Sequence, residues 1–371
     1  MGIGAVGTRV ARHLLADPDV DSLVLVHRDT GGVAAVVDSF VPLSRDSGSS
    51  VGPRVEIRTG MASEIPDDAD VVVLTQPEGV RAAAEIALAR GAHVVSTADD
   101  PGEVRGLLGL DSHARSVDRA VLVGVAMAPG LSCVLATFGA RALDEVNQVH
   151  VSSLGTGGPA CARRHHAALS SAATDWLNGE WHRRPGGSGR ELVWFPEPAG
   201  GADCYRAGLI DPVLLVPAFP TAQKVTARLA ATRRDRMTSW LPMLRRPHPE
   251  GRIGAVRVEL RGRRGGVAEV RILGATSRPA VIAGTVASLA ANWAGAGRLA
   301  RSGAGGLAEM VAEPGEFLQE LHARGVRTVQ FEGSESDRAP YLASSPSPAG
   351  RPPPGDPGSG HGAGSAGAVR A

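Results

Sequence analysis

The chain opens with Met1-Gly2-Ile3-Gly4-Ala5-Val6-Gly7-Thr8-Arg9-Val10-Ala11-Arg12-His13-Leu14-Leu15, a glycine-rich turn that runs straight into a helical pattern. Gly2, Gly4 and Gly7 spell G-x-G-x-x-G. That spacing suits a dinucleotide: the first glycine permits a tight turn, the second lets backbone approach a pyrophosphate, and the third lets helix and strand pack closely. The free N–H groups of Gly4, Ala5, Val6 and Gly7 at the helix start are the expected phosphate cradle. Such a turn normally follows a buried strand of about five residues, and here only Met1 precedes the first glycine. The pattern therefore predicts a Val/Ile-rich strand roughly ten or fewer residues upstream of Met1.

Moving outward, Val10, Ala11, Leu14 and Leu15 recur at helical spacing, and Ser22-Leu23-Val24-Leu25-Val26 is an apolar run of strand length. Its tip, His27-Arg28-Asp29, lies about 20 residues beyond the glycines, where a second Rossmann strand meets the adenosine ribose. His27 stands where NAD-binding sites carry an acid, and the Arg28 guanidinium suits a 2′-phosphate. NADP is the expected cofactor; NAD is the alternative if Asp29 turns inward.

Alternation continues: a helix over 32–40, a loop over 41–53, strands at 55–57, 70–74, 93–96 and 120–123, and helices over 78–90 and 107–119. Strands alternating with helices make a parallel doubly wound sheet, whose ligands bind at the carboxyl ends of the strands. The tips Thr75-Gln76-Pro77 and Ser96-Thr97 are therefore expected beside the cofactor, with Asp99 and Asp100 next to them. Beyond about residue 131 the rhythm changes to helices over 131–143 and 160–177, strands at 146–151, 213–216, 224–230, 255–260 and 268–273, and a long helix over 280–293. The expected fold class is α/β. A Rossmann-like parallel sheet, truncated at its first strand, occupies 1–130, and an α+β substrate and dimerisation domain with a largely antiparallel sheet occupies 131–333. Residues 334–371, rich in Ser, Pro and Gly, are expected to be disordered.

Composition narrows the function. With 371 residues, 43% apolar content and a net charge of +1 without long basic runs, two cores are expected, and neither nucleic acid nor a membrane surface is an expected partner. The uncharged stretches 120–140 and 279–296 are broken by glycine, proline or polar residues and read as soluble core. No secretory signal is visible, so a cytoplasmic location is expected. Three cysteines, Cys133, Cys161 and Cys204, are too few and too widely spaced for a disulfide framework or a C-x-x-C site, and no metal is expected. Lys224 is the only lysine, which leaves one candidate for any lysine mechanism.

The Gly2–Gly7 turn, the Thr75-Gln76-Pro77 tip, Ala128-Pro129-Gly130-Leu131-Ser132 at the domain junction and Glu316-Phe317-Leu318 with Gly325-Val326 near the end resemble the saccharopine dehydrogenase-like reductases, including actinobacterial members. The resemblance spans about residues 1–333 and implies a Rossmann domain, a substrate and dimerisation domain, and NAD(P)-linked hydride transfer at the carbon–nitrogen bond of an amino-acid-derived substrate. Two similar architectures are disfavoured. Sugar dehydrogenases carry E-K-P where this chain reads Ala98-Asp99-Asp100-Pro101, and dihydrodipicolinate reductases carry a lysine shortly after a His-His pair, whereas His165-His166 is followed by Ala167-Ala168-Leu169.

Hydride transfer needs a proton donor or acceptor and a grip on the substrate. His165 and His166, beginning a helix after the Gly155–Pro159 turn, are the candidates for the proton, with Asp99 as a cleft carboxylate. Arg163 or Arg164 could hold a substrate carboxylate, Cys133 could face the nicotinamide, and Trp176, Trp181, Trp194 and Phe195 could form a lid. Packing roles are the competing readings throughout. The alternative from another class is a Rossmann-fold sensor or assembly protein that binds a nucleotide without turnover.

Overall fold

A computed structural model describes residues 1–28, 54–243 and 246–331, with Leu342–Ser344 as a further strand. The helix expected over 32–40 and the residue Asp29 lie outside the described residues, as does the expected tail apart from Leu342–Ser344.

The amino-terminal half follows the sequence pattern closely. Helix α1 (Ala5–Leu15) presents Val10, Ala11 and Leu14 inward, and is followed by β1 (Ser22–His27) and β2 (Arg54–Thr59), which pair in parallel. Then come β3 (Val71–Leu74), α2 (Val80–Ala89), β4 (His93–Ser96), α3 (Pro101–Leu108), α4 (Asp111–Ser116) and β5 (Ala120–Leu122). Strands β3, β4 and β5 are parallel and buried, as near-continuous Val/Leu runs require. The single helix expected over 107–119 is two. The break falls at Gly109-Leu110, and Asp111 starts the second piece with its carboxylate committed to Arg115 Nε at 2.8 Å and the Ala304 N–H at 2.8 Å.

Between β1 and β3 the sheet is interrupted, and no strand bridges them among the described residues. A cavity of about 860 Å³ runs there, walled by Val10, Leu14, Leu23, Leu25 and Val72. Met1 and Gly2 stand at its head. The Met1 amine donates to Val73 O, the Thr75 N–H donates to Met1 O at 2.9 Å, and the Gly2 N–H donates to Val26 O at 3.0 Å.

The second half is built on a ten-stranded mixed sheet. Helix α5 (Leu131–Ala140) leads into β6 (Glu145–Leu154), α6 (Pro159–Ala168), the hairpin β7 (Ala173–Leu177) with β8 (Glu180–Arg184), and β9 (Glu191–Trp194) with β10 (Gly201–Tyr205). After these come α7 (Asp211–Leu215), β11 (Lys224–Ala230), α8 (Arg233–Thr238), β12 (Gly254–Arg264) and β13 (Val267–Ser277). The hairpin expected between 255 and 273 is present, turning at Gly265-Gly266. Two expectations are corrected. The helix read over 160–177 ends at Ala168, where the Ser170 and Ser171 hydroxyls turn back onto Ala167 O, and Ala173–Leu177 is strand. The strand read over 213–216 is instead the short helix α7, for which Pro212 sits in the first turn and whose Leu214 and Leu215 are fully buried.

Helix α9 (Pro279–Gly295) is buried along almost its whole length and crosses α1 at close range: a Cβ on Gly284 would lie 2.4 Å from Arg9 Cβ. The chain then returns to the first sheet, where β14 (Gly303–Gly305) pairs in parallel with β5. It passes through helix Pro314–Ala323 to β15 (Thr328–Gln330), which joins β13 antiparallel. No described helix is long and apolar enough to cross a membrane.

Candidate active site

The carboxyl ends of β1, β3 and β4, the start of α1 and the start of α6 surround one cleft of about 750 Å³. Its floor is the glycine turn, and each glycine does a different task there. Gly2 has φ +87°, and a Cβ would meet Gln76 N at 2.8 Å, so the tight turn against the β3 tip requires glycine. At Gly7 a Cβ would lie 1.9 Å from Gly2 O and 2.7 Å from Thr75 Oγ1, which closes the helix onto the strand end. Gly4 is extended (φ −95°, ψ −164°), and a Cβ there would meet nothing within 4 Å. Gly4 faces open cleft where a pyrophosphate would approach. Helix α1 has no side-chain cap, so the N–H groups of its first turn are directed at that space with the positive end of the helix dipole behind them. These residues fit a dinucleotide.

Thr75 secures the cradle by donating its hydroxyl to Met1 O and Gly2 O. Gln76 and Pro77 line the cleft, as do His27 and the exposed Arg28 at the β1 tip, joined by Gly60 and Met61 from the end of β2. Thr97 lines it too, whereas Ser96 is fully buried behind it and accepts the Ala98 N–H through Oγ at 3.2 Å.

The opposite wall is made of side chains. Asp99 and Asp100 take different directions. Asp100 caps α3, accepting the Gly102 and Glu103 N–H groups at 2.8 and 3.2 Å, while Asp99 turns into the cleft. Its Oδ2 lies 3.4 Å from His165 Nε2, and the Cys161 Sγ lies 3.7 Å from the same nitrogen. Cys161 and His165 are four apart on α6, hence on one face of it. Arg164 ties the two halves together by donating to Asp99 O at 2.9 Å and Gly208 O at 3.2 Å, and its Nε sits 3.3 Å from Asp100 Oδ2. His165 is 8% exposed. Burial pulls its pKa down, but the Cys161 sulfur and the Asp99 carboxylate outweigh that and hold it well above 6.5. Burial would raise the Asp99 pKa; the His165 hydrogen bond, with His165 and Arg164 charge, holds it below the ordinary value. Behind them Asp211 is fully buried, accepts the Ser132 hydroxyl at 2.8 Å and has its pKa raised by burial to about 6.

Several sequence candidates are not brought to the cleft. His166 faces α8, donating from Nε2 to Thr238 O at 3.1 Å, and Arg163 is exposed. Cys133 is packed inside α5, where burial pushes its thiol up to about 12. The four aromatics are not a lid. Trp176 and Trp181 meet edge-to-face across the β7–β8 hairpin with centroids 5.0 Å apart, and Trp194 and Phe195 sit at the end of β9, none of them lining the cleft. Sequence reasoning missed Cys161 as a cleft residue and Asp211 entirely. The i, i+4 spacing of Cys161 and His165 was a usable signal for the first; nothing local marks the second.

No protein-family model and no curated protein sequence matches the chain. Solved structures do. The L-Glu-forming saccharopine dehydrogenase of Saccharomyces cerevisiae superposes with a TM-score of 0.61 at 14% identity, covering 89% of this chain and 98% of that one. Homospermidine synthase of Legionella pneumophila, solved in complex with NAD, superposes with a TM-score of 0.63 at 12% identity, covering 88% and 89%. The chain shares its overall fold with these two proteins.

Proposed function

We propose that the protein is an NADP-preferring oxidoreductase acting at the carbon–nitrogen bond of an amino-acid-derived substrate. The observation that carries this reading is a single cleft with a backbone anion cradle on one wall and the Asp99–Cys161–His165 group on the other. Gly2, Gly4, Ala5, Val6, Gly7 and the Thr75-Gln76-Pro77 tip would hold the dinucleotide, with Arg28 near its ribose and Thr97 further along the same wall. When bound, that cofactor supplies or accepts the hydride, and its chemistry is its own. The chain's residues handle the proton. In the metal-free protein His165, positioned by Asp99, gives a proton to the substrate nitrogen in the reducing direction and takes it back in the other. The buried Ala83 and Ala283 add apolar wall to the same cleft.

We assign the cofactor to residues 1–130 and the substrate to 131–333, working as a homodimer in the cytoplasm. The solvent-facing Leu192 and Trp194 on β9, 61% and 63% exposed, supply apolar surface for the second copy, which sedimentation would detect.

Fluorescence titration with NADPH and NADH tests the reading, and tighter NADPH binding is expected. A screen of keto acids with amines, imines and amino acids should find turnover that His165→Ala removes. Saturable nucleotide binding with no turnover across that screen would favour the sensor reading instead. No binding of either nucleotide would remove both.

A further inference from the structure

We propose that Asp99, Cys161 and His165 form a zinc-binding site whose fourth position opens onto the cleft. Three donor atoms of different chemistry, a carboxylate oxygen, a thiol sulfur and an imidazole nitrogen, lie within 4.8 Å of one another. The nitrogen sits 3.4 Å from the oxygen and 3.7 Å from the sulfur. Around a tetrahedral zinc ion, ordinary bond lengths put the N···O edge at about 3.3 Å and the N···S edge at about 3.5 Å. The two edges at the imidazole nitrogen are thus already close to the separations an ion would impose, and the O···S edge, within 4.8 Å, closes by side-chain shifts toward about 3.5 Å.

Two elements from distant parts of the chain make this convergence. Helix α6 supplies Cys161 and His165 on one face, and the loop after β4 supplies Asp99, whose backbone Arg164 holds. Because Asp100 lies closer to the Arg164 guanidinium, at 3.3 Å against 3.9 Å for Asp99 Oδ1, the Asp99 Oδ2 is left for the cleft side. The His165 ring makes its polar contacts through Nε2, and Nδ1 is buried without a hydrogen-bond partner. A dication balances one carboxylate and one thiolate, and because zinc takes cysteine as thiolate and histidine as neutral imidazole, its binding releases protons. The mixed sulfur, nitrogen and oxygen set selects zinc over magnesium or calcium.

Three protein donors and an open position are the pattern of catalytic rather than structural zinc. All three residues line the same cleft as the glycine cradle, so the open position faces the substrate. The use of the ion rests on the oxidoreductase reading; its binding does not. With zinc bound, Asp99, Cys161 and His165 would hold the ion, and it would supply a Lewis acid at its open position in place of the His165 proton.

The test uses tag-free full-length protein, stripped with a chelator, reloaded with Zn²⁺ or Co²⁺, and desalted. Metal content should reach about one ion per chain, and the cobalt form should show a thiolate-to-cobalt charge-transfer band in the near ultraviolet. Cys161→Ser should remove the band, and Asp99→Asn should weaken zinc binding more than about ten-fold. Both changes are nearly isosteric, and thermal melts check that the variants fold. Substoichiometric zinc in the wild type, or a cobalt band that survives Cys161→Ser, overturns the site. An NADPH titration on the same samples separates the two claims. Zinc failing while NADPH binds removes the ion alone, and the converse removes the oxidoreductase reading alone.

Discussion

The two walls of the cleft are made in opposite ways. One is backbone: Gly2, Gly4 and Gly7 lie within six residues of one another, and their work is done by missing side chains and free N–H groups. The other is side chain: Asp99 meets Cys161 and His165 across more than sixty residues of sequence, through a helix start and a loop that only the tertiary fold brings together. The first wall should tolerate no added atoms, and the second should tolerate no changed chemistry. Substitutions that respect one rule and break the other tell the walls apart.

The largest effect is expected on the chemical wall. In chelator-stripped protein His165→Ala should lower kcat/KM by about 10²–10⁴, the usual contribution of a positioned acid–base group, while NADPH affinity stays within about three-fold. Steady-state kinetics beside a binding titration checks this split, and parallel losses in both would merge the two walls into one. On the backbone wall, Gly7→Ala forces a methyl to within 1.9 Å of Gly2 O, so it should destabilise the fold by about 3 kcal/mol in chemical denaturation.

Asp211 sharpens the comparison from behind the chemical wall. Its pKa rises from 3.8 to about 6 through burial, so the folded state favours the protonated carboxyl. Stability from this group is fully present below about pH 4 and is lost as pH rises through about 6. Asp211→Asn keeps an acceptor for the Ser132 hydroxyl and removes the charge. It should stabilise the protein by up to ~3 kcal/mol at pH 8 and by little at pH 4.5, read as the pH dependence of thermal melts. A smaller effect belongs to Arg28. Arg28→Ala should narrow the preference for NADPH over NADH by about ten-fold, since it removes one exposed charge-assisted contact.

The difference between the walls also explains what could be read from sequence. The glycine turn, β1, β3, β4 and β5 were legible because parallel buried strands are short apolar runs and their tips follow from the topology. The β7–β8 hairpin carried a signal in Asn178-Gly179, both at positive φ in a two-residue turn, which the helical-looking stretch 160–177 obscured. At α7, Val213-Leu214-Leu215-Val216 has strand composition, and the outcome turned on Pro212 and on packing beneath β11. Asp99 could be placed at a tip but not told apart from Asp100, because capping and cleft-facing roles depend on the direction of α3. The fit of the Gly155–Pro159 turn against α1, where a Gly158 Cβ would approach Ala5 Cβ to 3.3 Å, is likewise a property of the assembled fold.

The central claim is that the open space above Gly4 holds a pyrophosphate. Gly4 has a backbone conformation that any residue adopts, and its Cβ position is clear of neighbours, so Gly4→Val should fold with an unchanged melt. Calorimetric titration of NADPH into wild type and Gly4→Val tests the claim most directly. The account predicts saturable one-to-one binding to the wild type and binding weakened by more than about thirty-fold, roughly 2 kcal/mol, in the variant. Equal affinity in the two proteins would contradict it.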